Sequence, residues 1–198
     1  MSSARRPATP EEAKALAHPV RQRIVRLCGI RERTNKELAE TLQRDPATVL
    51  HHVRQLVATG FLEPCPERVG PSGATEKPYR STGTSWTVSL DGRATSSRPE
   101  VAMLDATREE VVQAGPDAVR ASARLVVRLP DHELAELLER FQTLVDEAVE
   151  RSAPLDDPGL PAYGALVLVH RFPDDLVPAT DGSVTDAVAG APDHASGA

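Results

Sequence analysis

The chain is poor in residues that reveal a function by themselves. Cysteine occurs only as Cys28 and Cys65, too few for a disulfide framework, and a reducing cytoplasm is the compartment expected for it. Aromatics make up 3% of the 198 residues, while prolines number 17, a balance that favours short elements and sizeable linkers. No apolar run approaches the roughly 20 residues of a spanning helix, so no membrane partner is expected. The opening stretch MSSARRPATPEEA is charged with no apolar core behind it, unlike a signal peptide. A Gly-rich phosphate loop, HExxH and a GxSxG elbow are all missing. The acidic pairs Glu109-Glu110, Asp156-Asp157 and Asp174-Asp175 are neighbours in sequence rather than opposed carboxylates. No enzyme, catalytic residue or cofactor is expected.

What is present is an apolar share of 40%, enough for a core, and an uneven charge. Residues 1–82 hold 14 Lys/Arg against 9 Asp/Glu, and residues 83–198 hold 9 against 20, giving the overall −6. A basic first half beside an acidic second half suggests a nucleic-acid module joined to something else.

The helix signals crowd into the first half. Thr9 caps a short helix opened by Pro10-Glu11-Glu12 and running to about Ala17. Pro19 suits the first turn of PVRQRIVRLCGI, where Val20, Ile24, Leu27 and Cys28 recur at helical spacing. Thr34 and Glu37 form a capping box ahead of NKELAETL, with Leu38 and Leu42 inward. Asp45 caps a fourth helix with Pro46 in its first turn, Val49, Val53, Leu56 and Val57 as its apolar stripe, and Gly60 at its end. Two helices joined by the short turn QRD predict a helix-turn-helix. FLEPCPERV and EKPYRST, separated by GPSGA, predict a hairpin, and helices followed by a hairpin make a winged helix.

ALAHPVRQRIVRLC, TNKELAETLQRDPATVLHHVRQLVATGFLE and EKPYRSTG together resemble the ArsR-type winged-helix transcriptional regulators over about residues 10–83. The resemblance implies a homodimer on near-palindromic double-stranded DNA. Many members of that family sense metal through cysteines in the helix before the recognition helix; here that helix, NKELAETL, has none. Cys28 reads as core and Cys65 sits between two prolines, so no metal ligands are assigned.

The DNA-reading residues follow from the stripe of the fourth helix. Thr48, His51 and Gln55 fall on its far side, with Ala47 and Arg54 beside them. Thr48 and His51 can meet base edges or phosphates, and Arg54 and Gln55 can reach either. The plain alternative is a solvated helix face. His52, at the edge of the stripe, reads as a half-buried histidine tying the helix to its neighbour, and Leu50 as a cover for the helix–wing junction. Arg68, Lys77 and Arg80 are the wing's candidate contacts, with Lys77 and Arg80 expected on one outer face. Arg21, Arg23 and Lys36 are further candidates for phosphate.

The second half carries a linker, DGRATSSRPE, then a helix from about Glu100 to Ala114. A strand is expected over Ala123–Leu129, a long amphipathic helix from Asp131, and a second strand over Tyr163–Phe172. The organisation read from sequence is a flexible arm over 1–9, a winged-helix domain over 10–90, a linker over 91–99, an α+β dimerisation or effector region over 100–172 and a disordered tail over 173–198. The fold class is mainly α with small β. The function expected is a cytoplasmic, dimeric, sequence-specific regulator acting as a repressor. Helix 46–59 would enter the major groove and wing 62–82 would lie on the flanking backbone. A small-molecule effector has a place between the long helix and the strands. The alternative is a winged helix that serves protein–protein contacts with little or no DNA binding.

Overall fold

The structure is a computed structural model, and it describes residues 5–71, 73–90, 98–157, 159–171 and 173. In chain order its elements are β1 (Arg6–Pro7), α1 (Pro10–Leu16), α2 (Pro19–Ile30), β2 (Arg33–Thr34), α3 (Asn35–Leu42), α4 (Pro46–Ala58), β3 (Leu62–Pro64), β4 (Arg68–Val69), β5 (Thr75–Glu76), β6 (Pro78–Ser81), α5 (Thr84–Thr87), β7 (Val88–Ser89), α6 (Pro99–Ala114) and α7 (Asp131–Glu150). A single 3₁₀ turn, Pro116–Ala118, follows α6. The chain is mainly helical with small sheets, as its sequence predicts.

Each N-terminal helix begins where a side chain can satisfy its orphan N–H groups. Thr9 and Thr34 both close full capping boxes, with Glu12 and Glu37 as the returning partners. Asp45 accepts from the N–H groups of Ala47 (2.9 Å) and Thr48 (3.0 Å) at the start of α4. His18 does the same for α2, its Nδ1 accepting the Val20 N–H at 3.2 Å.

The turn between α3 and α4 is built on Gln43, the one non-glycine among the described residues with positive φ (53°). Its N–H and that of Arg44 reach back to the last carbonyls of α3, as in a Schellman motif. Leu38, Leu42, Val49, Val53 and Leu56 then meet in one core with Leu16, Ile24, Cys28 and Phe61. At Gly60 the backbone takes φ +74° and turns Phe61 into that core.

The wing is a hairpin in two steps. β2, β6 and β3 form an antiparallel sheet in which Leu62 faces Ser81 and Pro64 faces Tyr79. Beyond Cys65 the strands resume as β4 and β5, with Arg68 opposite Glu76.

Several expectations need correction. No strand forms over Ala123–Leu129, nor over the described part of Tyr163–Phe172; Phe172 itself lies outside the described residues. A strand needs a neighbour for its backbone. Leu125, Val126 and Val127 stay more than half exposed, and among the described residues no strand edge pairs with them. Within the arm expected over 1–9, Arg6 and Pro7 pair in parallel with Val88 and Ser89, and the Arg6 guanidinium grips Glu12 in two hydrogen bonds. Helix α6, expected in the dimerisation region, packs on α1 and α2 and buries Ala102 and Ala106 there. The predicted linker residues 91–97 and the predicted disordered tail beyond Pro173 lie outside the described residues.

Candidate DNA-reading surface

Helix α4 has two unlike faces. Val49, His52, Val53 and Leu56 are buried, while Ala47, Thr48, His51, Arg54 and Gln55 are all exposed. The exposed set is the one expected from the sequence, on one continuous side of a helix that its neighbours hold firmly. Asn35 Nδ2 donates to the Pro46 carbonyl at 3.0 Å and ties the starts of α3 and α4 together.

The adjacent histidines divide as their positions require. His51 is exposed and its ring meets His52 edge-on at 5.8 Å between centroids. His52 is 7% exposed and lies 4.5 Å, ring to ring, from His18 at the start of α2. Burial, followed by electrostatic interactions with His18, Arg21, His51 and Arg44, pushes the His52 imidazole down to about 4. His52 therefore stays neutral near pH 7 and joins helices rather than reading a ligand, as the sequence suggested.

Other candidates are less free than their sequence positions implied. Arg21 spans α1, α2 and α4: Nη1 donates to the Gln55 side-chain oxygen at 2.8 Å, Nη2 to the Lys14 carbonyl at 2.7 Å and Nε to the Ala15 carbonyl. Gln55 thus keeps its amide NH₂ for an outside acceptor, its oxygen being engaged. Arg23 is not a surface cation. It is 8% exposed, pairs with Glu109 at 2.9 Å and donates to the Gln113 side chain on α6, so it is no phosphate contact. Lys36 is exposed.

In the wing, Arg68 pairs with Glu76 (3.4 Å) and Glu37 (3.5 Å), and Arg80 pairs with Glu32 (2.5 Å). Glu37 is central to this end of the molecule. Burial raises its proton affinity, but the Thr34 N–H, Arg31 and the Thr34 hydroxyl outweigh it and hold the carboxyl below its ordinary range. Its charge fastens the wing to the start of α3.

Lys77 and Arg80 do not share a face. Lys77 falls in the break between β5 and β6, whereas Arg80 lies within β6, and the two line different depressions. Lys77 and Tyr79 turn toward α4, whereas Arg80 borders a different depression with Cys28 and Glu32. Between α4 and the wing lies an open groove of about 470 Å³, floored by Leu50, Val53, Val57 and Tyr79 and edged by Arg54 and Lys77. Leu50 does cover the helix–wing junction. Among the described residues neither Arg54 nor Lys77 has an ion pair.

The residues do not fit a metal centre. Cys28 is 1% exposed and burial pushes its thiol up to about 12, away from the thiolate a metal needs. Burial, then Glu32, raises the Cys65 thiol as well. Among the described residues no three His, Cys, Asp or Glu side chains gather as a ligand set. No described helix is long and apolar enough to cross a membrane.

Residues 16–65 match the family model of a helix-turn-helix domain, a span that runs from the end of α1 through the first strand of the wing. That segment, a quarter of the chain, is a helix-turn-helix domain by sequence and by fold. No curated protein matches the chain. Among solved structures, the adhesin competence repressor AdcR of Streptococcus pyogenes is similar at 16% identity over 66% of this chain and 81% of that one. The TM-score is 0.30, and so loose a superposition adds nothing to the architecture already described.

Proposed function

We propose that the chain is a sequence-specific, DNA-binding transcriptional regulator of the ArsR type, a cytoplasmic homodimer acting as a repressor. The observation that carries this reading is the exposed face of α4, where Ala47, Thr48, His51, Arg54 and Gln55 lie together on the second helix of a helix-turn-helix. A small-residue first turn followed by polar side chains one turn apart fits the major groove of DNA. In this reading Thr48 and His51 meet base edges. Arg54 and Lys77, the two free cations at the groove, neutralise phosphates, and Gln55 donates its amide NH₂. Arg68 and Arg80 contribute less, because each must leave a carboxylate to reach DNA.

A second reading draws on those same ion pairs. With Arg68 and Arg80 engaged, the wing offers less positive charge than its sequence promises, as a protein-docking winged helix would. The discriminating experiment is selection of sites from a random duplex pool with the purified chain, with and without His51→Ala/Arg54→Ala. Enrichment of a near-palindrome that the double variant loses supports the regulator. Affinity should also fall steeply with salt as counterions are released. A folded chain that enriches nothing favours the protein-docking reading.

A further inference from the structure

Helix α7 is the longest element described and buries none of its residues against the rest of the chain. Its sequence is nonetheless built to be covered. Leu134, Leu137, Phe141, Leu144 and Ala148 recur at alternating steps of three and four, the a and d positions of a coiled-coil seam. Leu138 and Val145 widen the seam along one flank, at the e positions. Leu134 and Leu137 are half-buried, but Leu138 is 42% exposed, Phe141 38% and Leu144 60%, so the second half of the stripe is left open by the described residues.

The flanks of the stripe show what covers it. One flank is apolar, Leu138 and Val145; the other, at the g positions, is charged, Glu133, Arg140 and Glu147. A parallel pair of such helices sets each charged flank against the apolar flank of its neighbour, and no ion pair results. An antiparallel pair brings like flanks together. With Phe141 layered on the partner's Leu144, Leu138 meets the partner's Val145 and Arg140 meets the partner's Glu147. The twofold axis repeats each contact. Arg140 has no ion pair among the described residues. Among the described residues Glu147 pairs with Arg151 alone, at 3.4 Å, and that arginine side chain is 76% exposed. Both groups are free for recruitment at little cost.

We infer that two copies of this chain dock through an antiparallel α7 pair, registered by reciprocal Arg140–Glu147 contacts. The inference rests on the dimeric reading above and gives it a surface.

The test is sedimentation equilibrium of the full chain, its Arg140→Glu and Glu147→Arg variants, and an equimolar mixture of the two, with helicity checked by circular dichroism. Each variant alone sets like charges opposite one another twice, and its self-association weakens by about tenfold. The mixture regains wild-type association, because the hybrid dimer restores both pairs, one with its native signs and one with its signs exchanged. A wild-type chain that stays monomeric, variants that associate as well as wild type, or a mixture that fails to recover would each overturn the pairing. Binding of a single half-site duplex is measured on the same samples. DNA binding by a monomer would remove the helix pairing and leave the DNA reading in place. Charge-swap recovery without DNA binding would do the reverse.

Discussion

Protonating His52 should loosen the helix-turn-helix, and the size of the effect follows from where the ring sits. His52 is 7% exposed, its Nδ1 has no hydrogen-bond partner, and His18, Arg21, His51 and Arg44 supply the charges around it. Its proton affinity falls from an ordinary 6.5 to about 4. Between those values the unfolded chain holds a proton that the folded chain refuses. Stability is therefore complete above about pH 6.5 and drops as pH falls, by about 1.4 kcal/mol per unit and up to about 3 kcal/mol by pH 4. His18 adds to the same trend, since burial and then Arg21 and Arg44 lower its affinity and its Nδ1 must stay free to cap α2. The assay is urea unfolding followed by circular dichroism across this range, for wild type and His52→Leu. The leucine fills a similar volume and leaves no orphaned nitrogen, so the variant matches or exceeds wild type near neutrality. It also shows a shallower pH slope, the remainder coming from His18. Identical slopes in the two proteins, or an NMR titration of His52 near its ordinary value, would refute the reasoning.

Four other outcomes are expected. His51→Ala with Arg54→Ala should weaken binding to a selected site by about tenfold or more per residue while the unfolding midpoint stays put, because both side chains are exposed; competition binding and melting curves check this. Lys77→Ala should lower the slope of log affinity against log salt by about one, whereas Arg80→Ala should change it less, its guanidinium being already paired with Glu32. Cys28→Ser should cost about 1–3 kcal/mol by denaturant titration, since it puts a hydroxyl where the chain is 1% exposed, and should create no metal response in DNA binding. Gln43→Gly should stabilise the domain by about 1 kcal/mol in the same titration, relieving a left-handed backbone with φ 53°; a loss of stability would mean that the glutamine side chain holds the turn.

Local rules made the first half legible. Thr9, Thr34 and Asp45 cap the helices expected of them, and the 3.6-residue period separated the buried stripe of α4 from its exposed face. The failures came where a residue's role depends on a distant partner. Arg23 looked like a surface cation because Glu109, its neighbour in space, lies 86 residues away. Lys77 and Arg80 were placed on one face of a strand, but the strand breaks at Lys77 between β5 and β6, an interruption that residue spacing does not reveal. The strands expected over 123–129 and 163–172 had the right composition, but strand formation needs a partner edge that composition does not reveal. The short α5 and β7 segments gave no periodicity to find.

The charge asymmetry also reads differently in three dimensions. The first half is basic by count, yet α6 brings Glu109 and Glu110 from the acidic half against Arg23, Arg26 and Arg44. Other cations are neutralised within the first half, by Glu12, Glu32, Glu37 and Glu76. Part of the acidic excess thus belongs to the fold of the reading domain rather than to a separate module. A count of lysines and arginines overstates the field available to DNA. What bears on recognition is where the uncompensated charge remains, and Arg54 and Lys77 keep theirs on the two edges of one groove beside α4. Two free cations there can act on a phosphate with more effect than many paired ones spread over the surface, because none of their interaction with DNA is spent on breaking an internal pair.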